Sequence, residues 1–295
     1  MKPARFSRGI PKWGIAVGLT LAGALFAFQR PFRVLRSLEA YDNVPLPPDW
    51  QEKAEWVQAR MMYPQHPEAR FGGGGRRFGG FGGFGRYGLD WHEGGTSWTQ
   101  DYPRADRHFA QAVRRLTRIN ARSVEQPCNP EDVDDFFNWP WLVAGEMGDW
   151  KLTDAQAQTL REFLLRGGFI YMDDFWNSDE WDRFMESMRV VFPERQIVEI
   201  ESKDPINHTV YDLDDRYQIL GMWSFRGGGM AQRAMGTVPH WRGIYDDKGR
   251  LMVAMTFNND VGDSWEFADE PSYPERFSHL GIRLGVNYVV YAMTH

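Results

Sequence analysis

A chain of 295 residues is long enough for one large or two modest domains with a buried core. Its 34 basic and 40 acidic residues leave a formal charge of -6, which argues against a nucleic-acid-binding body. A lone cysteine, Cys128, excludes an internal disulfide and a cysteine-based metal site, and 13 tryptophans require that many rings be buried or line a groove.

Lys2, Arg5, Arg8 and Lys12 precede an apolar run over residues 13–28, and Arg30, Arg33 and Arg36 restore charge after it. The run is slightly shorter than the roughly 20 residues of a spanning helix, but flanking arginines can snorkel and extend it. Residues 1–36 are therefore expected to hold a transmembrane anchor, with a signal peptide cleaved near Ala22-Gly23-Ala24 as the rival. Either way the basic end stays in the cytoplasm and the body is exported.

Residues 37–97 read as a linker. Trp50, Ala54, Val57 and Met61 stand at helix spacing, so the pattern predicts a helix over 50–62, with Met61-Met62-Tyr63 able to open a first strand. The glycine-rich stretch 71–88 has no periodicity and is costly to order, so a flexible loop is expected. Its Phe and Arg residues resemble base-stacking segments, but one short copy on an exported chain does not make nucleic acid a partner.

An α/β domain is expected over 98–295. Pro103 can sit in the first turn of a helix whose apolar face is Phe109, Ala112, Val113, Leu116 and Ile119. Trp141-Leu142-Val143-Ala144 is a short apolar run, the mark of a strand covered on both faces. Thr153 and Gln156 have capping-box spacing, Leu160, Phe163 and Leu164 continue the helical period, and Gly167-Gly168 can end it. Phe169-Ile170-Tyr171-Met172 then returns as a second apolar run that stops at Asp173 and Asp174. Strand, helix and strand with short links predict a right-handed parallel crossover. Asn177 and Glu180 repeat the capping-box spacing ahead of Trp181, Phe184, Met185, Met188 and Phe192. A short strand over 196–200, a turn over 204–208, a strand over 217–220 and a mobile loop over 226–229 follow. Residues 244–257 predict a β-hairpin, and 276–293 a buried final helix.

Ligands of open α/β sheets bind outside the carboxyl ends of the strands, so Asp173 and Asp174 stand where a site would be. Adjacent strand residues point to opposite faces: Asp173 goes with Phe169 and Tyr171, Asp174 with Ile170 and Met172. The pair is either a ligand or catalytic group, or is consumed by backbone N–H groups. His208 and His240 are the histidines nearest the loops of the sheet; no ligand spacing of the HExxH kind makes them a metal site, and no cofactor is expected. Asn259, Asp260, Asp263, Trp265 and Glu266 form a further candidate ligand-binding group. Their spacing is not that of an EF-hand, a solvated loop or helix cap being the plainer expectation, and Trp265 beside carboxylates is similar to a carbohydrate-stacking wall. Trp91, Trp98, Trp176, Trp223 and Trp241 could add to that wall.

The segments GGFIYMDDF (167–175), WTQDYPRAD (98–106), HWRGIYDD (240–247), NDVGDSWE (259–266) and LGVNY (284–288) together resemble a bacterial family, the domain of unknown function numbered four-one-five-nine. The likeness runs from about Trp56 to His295. That family resembles the class I glutamine amidotransferase-like superfamily, which implies a flavodoxin-like, mostly parallel sheet flanked by helices, here with an added hairpin. An amidotransferase needs a cysteine on a strand-to-helix elbow and a histidine to activate it. Cys128 instead lies between Pro127 and Pro130 with no glycine elbow, and is expected to be a bystander in a loop.

The expectation is a membrane-anchored, exported, noncatalytic amidotransferase-like module that binds a partner protein or glycan at the cell envelope. The alternative is a hydrolase using Asp173 or Asp174 with His208 or His240, with or without a metal.

Overall fold

The computed structural model describes residues 32–39, 44–69, 90–226 and 236–295. The expected anchor, the glycine-rich stretch and most of the 226–229 loop lie outside the described residues. Among the described residues no helix is long and apolar enough to cross a membrane. Arg33–His295 make one compact unit.

Among the described residues seven strands form one mixed sheet in the order β2-β1-β3-β4-β7-β6-β5. In chain order they are β1 (Ala59–Met61), β2 (Gln126–Cys128), β3 (Trp141–Ala144), β4 (Phe169–Met172), β5 (Val198–Glu199), β6 (His240–Tyr245) and β7 (Leu251–Phe257). The five strands from β2 to β7 run parallel, and the β6–β7 hairpin and β5 extend the sheet by antiparallel pairing. The helices that matter for the site are α1 (Arg104–Leu116), α2 (Asp154–Leu165), α3 (Asn177–Val191), α4 (Val261–Glu266) and α5 (Glu275–Thr294).

Two apolar cores lie on the two faces of the sheet. Alternation along β3 and β4 sends Leu142, Ala144, Ile170 and Met172 to one core, where Leu160, Phe163 and Leu164 of α2 and Phe184 and Met188 of α3 meet them. Trp141, Val143, Phe169 and Tyr171 go to the other, against Phe109 of α1, Trp265 of α4 and Leu284 and Tyr288 of α5. Every residue of β3 and β4 is buried, as apolar runs covered on both faces must be. Complete burial of a large apolar side chain contributes about 1.5–3 kcal/mol, so these short strands anchor the domain.

Several expected elements differ. Residues 50–62 are not a helix: a turn around Trp50 is followed by β1, which sits between β2 and β3 in a stretch expected to be a linker. The polar residues Gln58 and Arg60 masked this strand, because their partners are distant in sequence. Gln58 Oε1 accepts from the Trp141 indole at 2.9 Å, and Arg60 Nε pairs with Asp106 at 2.9 Å. Residues 217–220 form no strand; their backbone runs along the 258–260 turn, Ile219 N–H donating to Asn259 Oδ1 at 2.9 Å. The strand expected over 196–200 is only Val198–Glu199. The α3 cap also differs, since Asn177 takes φ 61° and the Trp176 N–H is met by Glu180 Oε2 at 2.7 Å.

Candidate functional site

The parallel register pairs Met172 with Met255, so Asp173 and Asp174 leave β4 at the edge where Asn258, Asn259 and Asp260 leave β7. Asp173 keeps the ladder for one more residue, its N–H donating to Ala144 O at 2.9 Å. It therefore follows Tyr171 to the α4 and α5 face. The Thr256 hydroxyl lies between Tyr171 Oη, at 2.7 Å, and Asp173 Oδ1, and Gly262 N–H donates to Asp173 Oδ2 at 2.7 Å. Asp174 turns out of the strand at φ 52° and accepts from the Trp176 indole at 2.6 Å.

Of the two expectations for the second acidic group, solvated loop or helix cap, the helix cap is what forms. Asp260 caps α4 by accepting from Asp263 N–H at 2.9 Å, and Asp263 accepts from Met222 N–H at 2.6 Å. Asp101, in the turn before α1 at φ 60°, closes the group from the other side. Asp101, Asp173, Asp174, Asp260, Asp263 and Glu266 are all 0–8% exposed. Single oxygens of Asp101, Asp260 and Asp263 lie within 4.8 Å of one another, as do single oxygens of Glu39, Asp101 and Glu266. Gaps of this size are closed by shared protons or by a small hard cation.

Dry, like-charged neighbours disfavour ionisation. Burial first, then the Asp174 charge, lifts Asp173 to about 7. Burial likewise lifts Asp263 to about 7, against the opposing pull of the Met222 N–H. Asp101 and Asp260 are driven well above the usual carboxylate range, by burial and then by Asp263 for the first and Asp174 for the second. Arg60 reaches Asp101 through space, but its bonds go to Asp106 and to the carbonyls of Trp98 and Gln100.

The other candidates lie elsewhere. His208 holds Asp212 and the Ser202 carbonyl, both at 2.8 Å, at the start of a surface loop packed on α5. His240 holds Glu199 at 2.8 Å and stacks on Phe257. Neither histidine is bonded to the aspartates at the ends of β4 and β7. Trp265 is no stacking wall: it is buried against Phe109 with ring centroids 4.1 Å apart, and its indole donates to Gly281 O at 3.0 Å. Trp98 and Trp176 are buried as well, whereas Trp223 is 54% exposed. Asn259 shapes the backbone through Ile219. Cys128 ends β2, a strand where a loop was expected, and donates to Gln126 O at 3.3 Å. Burial, then nearby Asp135, pushes its thiol far up.

Sequence reasoning missed Asp101 and Glu39. Asp101 looks like part of a helix start, and only its approach to Gly262 in space joins it to the group. A family model described as Domain of unknown function (DUF4159) matches residues 86–293. No curated protein matches the chain.

Proposed function

The chain belongs to the DUF4159 family, and from that premise we propose an exported, membrane-anchored, noncatalytic module that binds a partner protein or glycan at the cell envelope. The order β2-β1-β3-β4-β7 of the parallel strands supports a flavodoxin-like, amidotransferase-like ancestry. The buried, unactivated Cys128 fits a module without glutamine hydrolysis. The observation that carries the binding reading is the group of aromatic rings left open beside the carboxylate edge. Trp223 is 54% exposed, Tyr217 42% and Phe225 38%, and Tyr217 and Phe225 both pack on Phe277. Exposed tryptophan and tyrosine are the side chains that most often dominate a binding interface or stack on a sugar ring.

The test is retention of the detergent-solubilised full chain on isolated envelope glycan and, separately, on extracted envelope proteins. Trp223→Ala should lower retention by at least about tenfold, as loss of a central aromatic anchor does. Equal retention of Trp223→Ala, Phe225→Ala and the parent chain would overturn the reading.

One observation favours a second reading, a hydrolase acting through Asp173 or Asp174: the Asp173 carboxyl, buried beside Asp174 and lifted to about 7, is suited to donate a proton near neutrality. That reading lacks its expected partners, because His208 and His240 are bonded elsewhere. Turnover of an envelope ester or glycoside that Asp173→Asn abolishes would favour it.

A further inference from the structure

Residues 218–222 cross the carboxyl edge of the sheet and are tied down by the loop after β7. Gln218 Nε2 donates to Asn258 O at 2.9 Å, and Ile219 N–H to Asn259 Oδ1 at 2.9 Å. Asp260 N–H donates to Ile219 O at 3.0 Å, and Met222 N–H to Asp263 Oδ2 at 2.6 Å. At Gly221 a methyl group would lie 2.2 Å from Asp260 Oδ2 and 2.9 Å from Asp263 Oδ2. The backbone here therefore rests directly on the two carboxylates, and it forms part of what keeps water from them.

We propose that residues 218–222 are a strap whose seating is linked to protons held by Asp260 and Asp263, so that rising pH lifts it. This goes beyond the binding reading and does not depend on what the module binds. The groups facing these two carboxylates are overwhelmingly acidic. Asp173 and Asp174 approach from the end of β4 and Asp101 from the turn before α1. Glu39 approaches from the N-terminal segment, and Glu266, on α4 itself, acts on the same group through Asp101. Tyr273 lies against the group from the segment after α4, and its hydroxyl donates to Leu220 O at 2.8 Å. The cations are one step removed, Arg60 acting on Asp101 and Arg104 on Glu39.

With the strap seated, the carboxylates are dry and crowded by like charge, so a proton is retained. With the strap lifted, water solvates them and the proton leaves. Linkage is reciprocal: the seated state binds more protons, so raising the pH must favour the lifted state. The strap runs straight into the one-turn helix Trp223–Arg226, so lifting it also moves the exposed Trp223 and Phe225.

Amide hydrogen exchange on the full chain in detergent, corrected for the intrinsic rate at each pH, tests this. Protection of the Ile219 and Met222 amides should fall by about tenfold per pH unit for each proton released on opening, while Val253 in β7 stays protected. Asp263→Asn keeps an acceptor for Met222 N–H and removes a titrating group, so it should flatten the slope. Asp260→Asn is the second variant should that one not fold. Protection independent of pH, or a slope unchanged in both variants, overturns the proposal. So does protection that responds to added calcium or magnesium but not to acid, because the carboxylates would then hold a cation in place of protons.

Discussion

Gly262 shows how closely the carboxylates are set. A methyl group there would lie 2.2 Å from Asp101 Oδ2, and the backbone N–H at the same position serves Asp173. Gly262→Ala should therefore destabilise by about 1–3 kcal/mol, the usual cost of forcing atoms into a filled site. Urea denaturation measures it, and an unchanged midpoint would mean that Asp101 has room to move aside. Asp173 gives the pH prediction. Its folded value of about 7 lies above the ordinary 3.8, so between those values the folded state holds a proton that the unfolded chain has lost. Stability is then fully present at the acid end, falls as pH rises across that window by about 1.4 kcal/mol per unit for each retained proton, and levels off above it. Melting followed from about pH 4.5 to 7.5 should show this fall, and Asp173→Asn should make it shallower. A variant with the parent's slope would assign the proton to a neighbour. Of the group, Asp173, Asp174 and Asp260 were legible as carboxylates where strands end, and Asp263 and Glu266 as part of the acidic loop or helix cap that follows. Asp101 and Glu39 were not, because only folding brings them near the others.

Among the elements, α2 was the most legible, since every signal that starts it is local. Thr153 Oγ1 accepts from Gln156 N–H at 3.3 Å, and Gln156 Oε1 accepts from Thr153 N–H at 2.9 Å. Thr153→Ala removes one half of this reciprocal cap and should cost about 1 kcal/mol. A thermal melt checks it, with Thr159→Ala in the same helix, whose hydroxyl only bonds back to Ala155 O, as the reference that should change little. Where an element depends on distant partners, local pattern misleads. The helix spacing of Trp50 to Met61 concealed β1, whose Arg60 is buried against Asp106 of α1 and the carbonyls of Trp98 and Gln100. The segment 259–266 reads as a solvated loop or a helix cap, and it is the cap of α4: Asp260 caps the helix and Trp265 finds Phe109.

For the whole molecule the clearest prediction concerns topology. The basic residues ahead of the apolar run 13–28 should remain in the cytoplasm, so a reporter fused after His295 should be active only outside it. Cytoplasmic activity of that fusion would remove the envelope from the proposed function.

Layer structure followed from the sequence alone, because a four-residue apolar strand, a capped amphipathic helix and a second apolar strand leave little choice but a parallel sheet covered on both faces. The two faces of β4 followed for the same reason, alternation being a property of the strand itself. The neighbours of each strand end were decided only in three dimensions. His208 ends a turn beside the sheet and His240 opens β6, but they turn to Asp212 and Glu199, while Asp101, some seventy residues before Asp173, turns towards it across Gly262. A carboxylate's protonation depends on the water and charge around it, and those are supplied by whichever segments the tertiary fold lays over it.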